Sequence, residues 1–232
     1  MASLEECEDF LWENNGDYEK ISEYLKNHPN IIRLENDSGG TLIFGAAISG
    51  EWASCAALIK HGAKVDPVDK EDSYTPLMHA SFGGHAEVVE LLLKNGANPN
   101  HANSNEDETP LTGAAHYGHT PVVETLIKYG AQIDKPCGFG ITPLMYAIMG
   151  GNHKTIRALL EAGADPNKVS KHKDSVLEYA VRTGSPGIIK AIISSPRFVP
   201  LSAEKHGSLT KETSEICETV KQLINSGFQA GK

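Results

Sequence analysis

Aromatic residues make up only 6% of this 232-residue chain, and its four cysteines, Cys7, Cys55, Cys137 and Cys217, lie far apart with no CxxC pair. That spacing argues against a disulfide-stapled or zinc-finger design and suits a reducing compartment. The expected location is the cytoplasm, with the nucleus as the alternative. Positive charge is also short: 21 Lys and Arg against 30 Asp and Glu leave a net charge of -9. A balance of that sign argues against extended contact with nucleic acid phosphates or an anionic lipid surface. No apolar run approaches the roughly 20 residues that span a bilayer. The opening stretch MASLEECEDFLWEN is acidic and lacks the basic-then-apolar plan of a secretory leader. There is no glycine-rich phosphate loop, and no nucleophile with a base and an orienter at recognisable spacing. Ten histidines raise the question of a metal. Only His79 and His116 are placed to face one another, and no third ligand of matching register accompanies them, whereas zinc takes at least three protein ligands. The expectation is a chain with no catalytic residue, no cofactor and no metal.

What is present is periodic. Anchors at Thr41, Thr75, Thr109, Thr142 and Ser175 are 34, 34, 33 and 33 residues apart. Nine positions after each stands a glycine (Gly50, Gly84, Gly118, Gly151, Gly184), and twenty-one after the first four stands another (Gly62, Gly96, Gly130, Gly163). Thr75-Pro76, Thr109-Pro110 and Thr142-Pro143 read as helix starts: the hydroxyl caps an orphan N–H, and proline has none to lose. The first glycine ends that helix in a left-handed conformation. A second helix follows, with apolar residues at Val88, Val89, Leu91, Leu92 and Leu93 and at matching positions downstream. Its end is marked by Gly96-Ala97, Gly130-Ala131 or Gly163-Ala164. Such a unit is too small to bury its apolar stripe alone, so neighbouring units must stack.

The pattern of threonine-proline-leucine, glycine-histidine, a leucine-rich second helix and glycine-alanine closely resembles the ankyrin repeat. Residues 75–100 (TPLMHASFGGHAEVVELLLKNGANPN) match nearly end to end, 109–134 and 142–167 match well, and 41–66 match with Leu42 in place of proline. Residues 175–195 keep the hydrophobic spacing and Gly184. The resemblance implies an all-α solenoid of stacked helix-turn-helix units with finger-like turns and degenerate caps at both ends. Residues 1–36 are then a degenerate N-terminal capping repeat, with Gly16 between its helices, and 37–195 are five repeats. Residues 196–232 are a polar loop and a helix candidate with Ile216, Val220, Leu223 and Ile224 on one face, stopped near Gly227. That helix either closes the last apolar face or binds a partner.

The chain departs from the family in one respect. The histidine three positions after the threonine is replaced by Phe44, Met78, Thr112, Met145 and Glu178. His85 and His119 do fall on the family's glycine-histidine position, where the ring packs and bonds between repeats. His79 lies one position past the missing histidine and reads as available for another role.

The resemblance also implies a concave groove formed by the turn fingers and the exposed face of each first helix. Carried over to this sequence, the partner-binding candidates are Tyr74, His79, Phe82, Glu106, Glu108, His116, Tyr117, Phe139, Tyr146, Met149, Tyr179 and Arg182. The fingers before Thr75 and Thr109 are one residue longer than the later ones and lengthen an acidic lip (Glu71, Asp72, Glu106, Asp107, Glu108). Surface aromatics are common binding anchors, although several of these rings could instead pack beneath the fingers. Two readings remain. The first is a monomeric scaffold or adaptor with no chemistry of its own, whose concave groove is expected to bind a protein partner through a basic segment. The second is an aromatic groove that reads a methylated lysine or similar cation. The resemblance further makes Asn100 and Asn167, each eight residues after a leucine, hydroxylation candidates; the alternative is that both simply bond the turn backbone.

Overall fold

The computed structural model describes residues 4–14 and 16–199. The helix candidate around 216–224 lies outside them. Among the described residues the chain is helical, with no β-strand beyond an isolated antiparallel bridge between Val169 and Ser175. The helices come in pairs: α1 (Leu4–Glu13) with α2 (Tyr18–Asn27), then a 3-10 turn at Pro29–Arg33, α3 (Leu42–Ser49) with α4 (Trp52–Lys60), and α5 (Pro76–Gly83) with α6 (Ala86–Lys94). They continue as α7 (Pro110–His116) with α8 (Thr120–Lys128), α9 (Pro143–Met149) with α10 (His153–Glu161), and α11 (Val176–Arg182) with α12 (Pro186–Ile193).

The chain divides into two compact units, one of residues 1–114 with 121–132 and the other beginning with 115–120 and 133 onward. In the first unit α1, α3 and α5 pack in succession, as do α2, α4 and α6. In the second, α9 packs on α11 and α10 on α12. First helix therefore meets first helix and second meets second, as the repeat requires.

The anchors cap their helices. Thr75 Oγ1 accepts the Met78 N–H at 3.2 Å, Thr109 that of Thr112 at 3.2 Å, Thr142 that of Met145 at 3.4 Å and Ser175 that of Glu178 at 3.2 Å. Thr41, which lacks the following proline, makes no such bond. The residues standing where the family has histidine answer in the other direction with three different acceptors. Thr112 Oγ1 takes the Thr109 N–H at 2.7 Å, Met145 Sδ that of Thr142 at 3.5 Å, and Glu178 Oε2 that of Ser175 at 2.6 Å. Each satisfies a buried backbone donor at the helix start, so at three of the five positions another side chain takes over this bond; Phe44 and Met78 are simply buried.

Helix ends follow the glycines. Gly84 closes α5 at φ 78° and Gly96 follows α6 at φ 92°, left-handed conformations that strain a side-chain-bearing residue. Between them α6 buries Val88, Val89, Leu92 and Leu93. The expected five-residue apolar set is corrected to four, because Leu91 falls on the helix flank and is half-buried. Matching residues are buried in α8 (Val122, Val123, Leu126), α10 (Ile156, Leu159) and α12 (Ile188, Ile189, Ile192). Each fully buried aliphatic side chain contributes about 1.5–3 kcal/mol relative to exposure.

Candidate partner-binding faces

The fingers are built from backbone and short polar side chains. Asp69 N–H donates to the Tyr74 carbonyl and Asn103 N–H to that of Glu108, each spanning four residues. Cys137 to Ile141 and Ser170 to Asp174 span three. The longer first fingers expected from the spacing are thus present. Asp69 Oδ1 accepts the N–H groups of Glu71 and Asp72, and Asn103 Oδ1 those of Glu106 and Glu108, in turns typical of these residue types. Ser73 (φ 59°) and Asp107 (φ 55°) take left-handed backbone to close them. Adjacent fingers are joined by Ser104 N–H to the Asp72 carbonyl and Lys171 N–H to that of Phe139. Glu71 and Asp107 are exposed on these tips; Asp72, Glu106 and Glu108 are half-buried.

In the first unit Tyr74, His79 and Phe82 come together. The Tyr74 ring stacks on His79 at 5.3 Å and meets Phe82 edge-on at 5.8 Å, while Phe44 meets His79 edge-on at 5.8 Å. These rings cover one another's faces rather than surround an opening. The Tyr74 hydroxyl donates to Glu108 Oε2 at 3.4 Å, and burial with the Glu108 charge raises its pKa. Burial holds the His79 imidazole below its ordinary pKa, against a smaller opposing pull from Asp69. His79 is therefore corrected from an available surface histidine to a packed one, because its position four residues after the anchor turns it toward the neighbouring repeat. Phe82 is likewise half-buried, its ring against Gly113.

In the second unit the surface is more open. Tyr117 is 60% exposed and Met149 is 50% exposed. Tyr117 stacks on His116 at 5.0 Å, and His116 in turn stacks on Tyr146 at 5.4 Å. Tyr146 is a correction: it is 6% exposed, with its hydroxyl donating to Cys137 Sγ at 3.4 Å, and belongs to the core rather than to a binding face. It stands four residues after Thr142, on the same inward helix position as His79. Phe139 is exposed on its finger with its ring beside His172 at 6.4 Å. Tyr179 is half-buried beneath the Arg182 guanidinium at 5.7 Å, and Arg182 pairs with Asp174 at 2.7 Å, which holds that carboxyl below its usual range.

Repeat-to-repeat bonds account for several polar residues. The His85 ring donates to the Ile48 carbonyl at 2.9 Å, as its position predicts. Asn152, at the equivalent place, donates to the His116 carbonyl at 2.8 Å. Asn100 accepts the Gln132 N–H and donates to the Gly130 carbonyl; Asn167 does the same with Val199 and Arg197. Both asparagines thus bond the backbone that follows the next second helix, α8 for Asn100 and α12 for Asn167, rather than only their own turn. Sequence reasoning missed Trp12 on α1 and Trp52 on α4, 65% and 45% exposed. For Trp12 the signal was its place beside Glu8 and Asp9 on the polar side of α1; Trp52, with Ala56 and Ile59 on its face of α4, gave none.

Cys7, Cys55 and Cys137 are free and buried. Burial, with the Glu51 charge adding to it, pushes the Cys55 thiol up to about 12. Among the described residues no group of three or more His, Cys, Asp or Glu side chains is placed to hold a metal ion, and no helix is long and apolar enough to cross a membrane. The second unit offers exposed aromatic and thioether area, Tyr117 and Met149, and the first unit offers exposed finger carboxylates, Glu71 and Asp107.

A family model described as ankyrin repeats (3 copies) matches residues 11–103, 57–137, 95–170 and 111–200. A search of curated proteins finds no match.

Proposed function

The chain belongs to the ankyrin-repeat family, whose members are protein–protein interaction modules, and we propose that it is a scaffold or adaptor with no chemistry of its own that grips a basic segment of a protein partner. The observation that carries this reading is the exposed Tyr117 in the second unit, with the exposed Met149 in the same unit. A tyrosine buries ring area while its hydroxyl keeps a polar contact, and methionine adapts to irregular surfaces. The finger carboxylates Glu71 and Asp107, exposed in the first unit, and the net charge of -9 favour a cationic partner and speed its encounter. Free, buried cysteines support a reducing compartment, the cytoplasm or the nucleus. Binding by a monomer completes the proposal.

The test is an array of lysine- and arginine-rich peptides, methylated and unmethylated, with acidic peptides as controls. The proposal expects retention of unmethylated basic peptides that weakens as salt rises. Retention restricted to methylated peptides would replace it with cation reading, and retention of acidic peptides alone would contradict it.

A further inference from the structure

Ten positions after their anchors, His85 and Asn152 reach back to the preceding repeat. His85 donates to the Ile48 carbonyl at 2.9 Å and Asn152 to that of His116 at 2.8 Å. Glu51 stands at the same position after Thr41, and as a carboxylate it has no proton to give. It is buried all the same, 4% exposed. The Ser54 hydroxyl donates to its Oε2 at 2.7 Å, while no backbone N–H of α4 bonds the side chain. A buried carboxylate is costly unless a cation pairs with it. Among the described residues Glu51 makes no ion pair.

Glu51 lines a cleft of about 310 Å³ between α1 and α3, within the first unit. Glu8 and Asp9 bring two more carboxylates to it from α1. Trp12, one helical turn after Glu8, adds an indole that is 65% exposed, and the buried Leu11 and Leu42 add apolar wall. Glu8 lies over Gly45, its Oε1 3.7 Å from where a Cβ would stand. Burial, with the Asp9 and Glu5 charges adding to it, raises the Glu8 pKa. Among the described residues neither Glu8 nor Asp9 makes an ion pair, and the lining contains no lysine or arginine.

The geometry points to the cleft between α1 and α3 as a binding site for one arginine side chain of a protein partner, its guanidinium between Glu51 and Glu8 and stacked on Trp12. The planar guanidinium pairs with carboxylates two bonds at a time and stacks on aromatic faces, whereas an ammonium is a compact, strongly hydrated point charge. It supplies the donor that Glu51 lacks at this register. One aromatic wall among carboxylates also suits it better than a methylated ammonium, which calls for a cage of several rings. The site belongs to the first unit and does not depend on the anchor proposed at Tyr117.

Trp12 is one of two tryptophans, so in the full-length Trp52→Phe protein indole fluorescence reports on the cleft. The probe is a capped glycine-arginine-glycine peptide, with lysine and citrulline versions as controls; citrulline keeps the shape of arginine and loses its charge. Arginine should give a saturable change, lysine should bind several-fold more weakly, and citrulline should give no saturation. Glu51→Gln should raise the Kd about tenfold, the loss of one charge-assisted pair. Glu8→Gln, at an exposed position, should do the same with an unchanged Tm, which separates recognition from folding. Tyr117→Ala should leave this binding intact, so failure here and failure of the Tyr117 anchor are read separately. No saturable change with arginine, equal binding of lysine or citrulline, an unaltered Kd in Glu8→Gln, or loss of binding in Tyr117→Ala would overturn the site.

Discussion

The Phe82 ring lies over the backbone of Gly113, in the space that a Cβ there would fill. Phe82 stands seven residues after its anchor and Gly113 four after the next. The same two positions one repeat later hold His116 and Tyr146, stacked at 5.4 Å. Ring against glycine and ring against ring are two solutions to one packing problem. Gly113→Val should therefore overfill the site and lower stability by about 1–3 kcal/mol. Adding Phe82→Ala should recover part of that loss in a double-mutant cycle followed by urea unfolding. A silent Gly113→Val would mean that the ring does not occupy this place.

Asn100→Ala removes two bonds to the turn after α8, to the Gln132 N–H and the Gly130 carbonyl. A loss of about 1–3 kcal/mol is expected, seen as a lower Tm, since each net hydrogen bond contributes about 0.5–1.5 kcal/mol. Asn100→Asp should retain the acceptor and lose less. Mass spectrometry of the native protein would show whether either Asn100 or Asn167, both half-buried, carries an added oxygen.

The repeat register, the caps and the two sets of glycines were legible in the sequence because threonine, proline and glycine act through local backbone geometry. Thr75, Gly84 and Gly96 behave as their positions dictate. The faces were less legible. Whether an aromatic side chain is a surface anchor or a packing element depends on the residue it meets in the next repeat. Tyr146 and Tyr117 were both read as groove residues, yet Tyr146, four residues after its anchor, bonds Cys137 in the core, and Tyr117, eight after its own, is exposed. The replacement of the missing histidine by Thr112, Met145 and Glu178 was also hidden, since it needs the direction of each side chain toward the helix start.

His79 gives the fold a pH dependence. Its folded pKa is lowered by burial beneath the unfolded value of about 6.5, so the unfolded chain binds a proton more readily. This contribution to stability is fully present above the unfolded pKa, declines as pH falls below it, and levels off below the folded pKa. Denaturant titrations across pH 8 to 4 should show a smaller acid loss in His79→Gln than in the parent. Equal losses would place the acid sensitivity elsewhere.

Cys55 should resist alkylation in the folded protein at neutral pH, because it is buried and its thiol is pushed up to about 12. Labelling with a maleimide followed by peptide mapping checks this. Rapid modification of Cys55 without unfolding would contradict the packing of α4.

The account stands on Tyr117 as the anchor of the partner. The direct measurement is the affinity of the parent, Tyr117→Ala and Glu87→Lys for one retained basic peptide, at fixed salt and with matched Tm values. Truncating an exposed aromatic anchor should cost about 2 kcal/mol, near a thirtyfold rise in Kd, while Glu87→Lys on α6 should change it little. An unchanged Kd for Tyr117→Ala together with lost binding by Glu87→Lys would contradict the account.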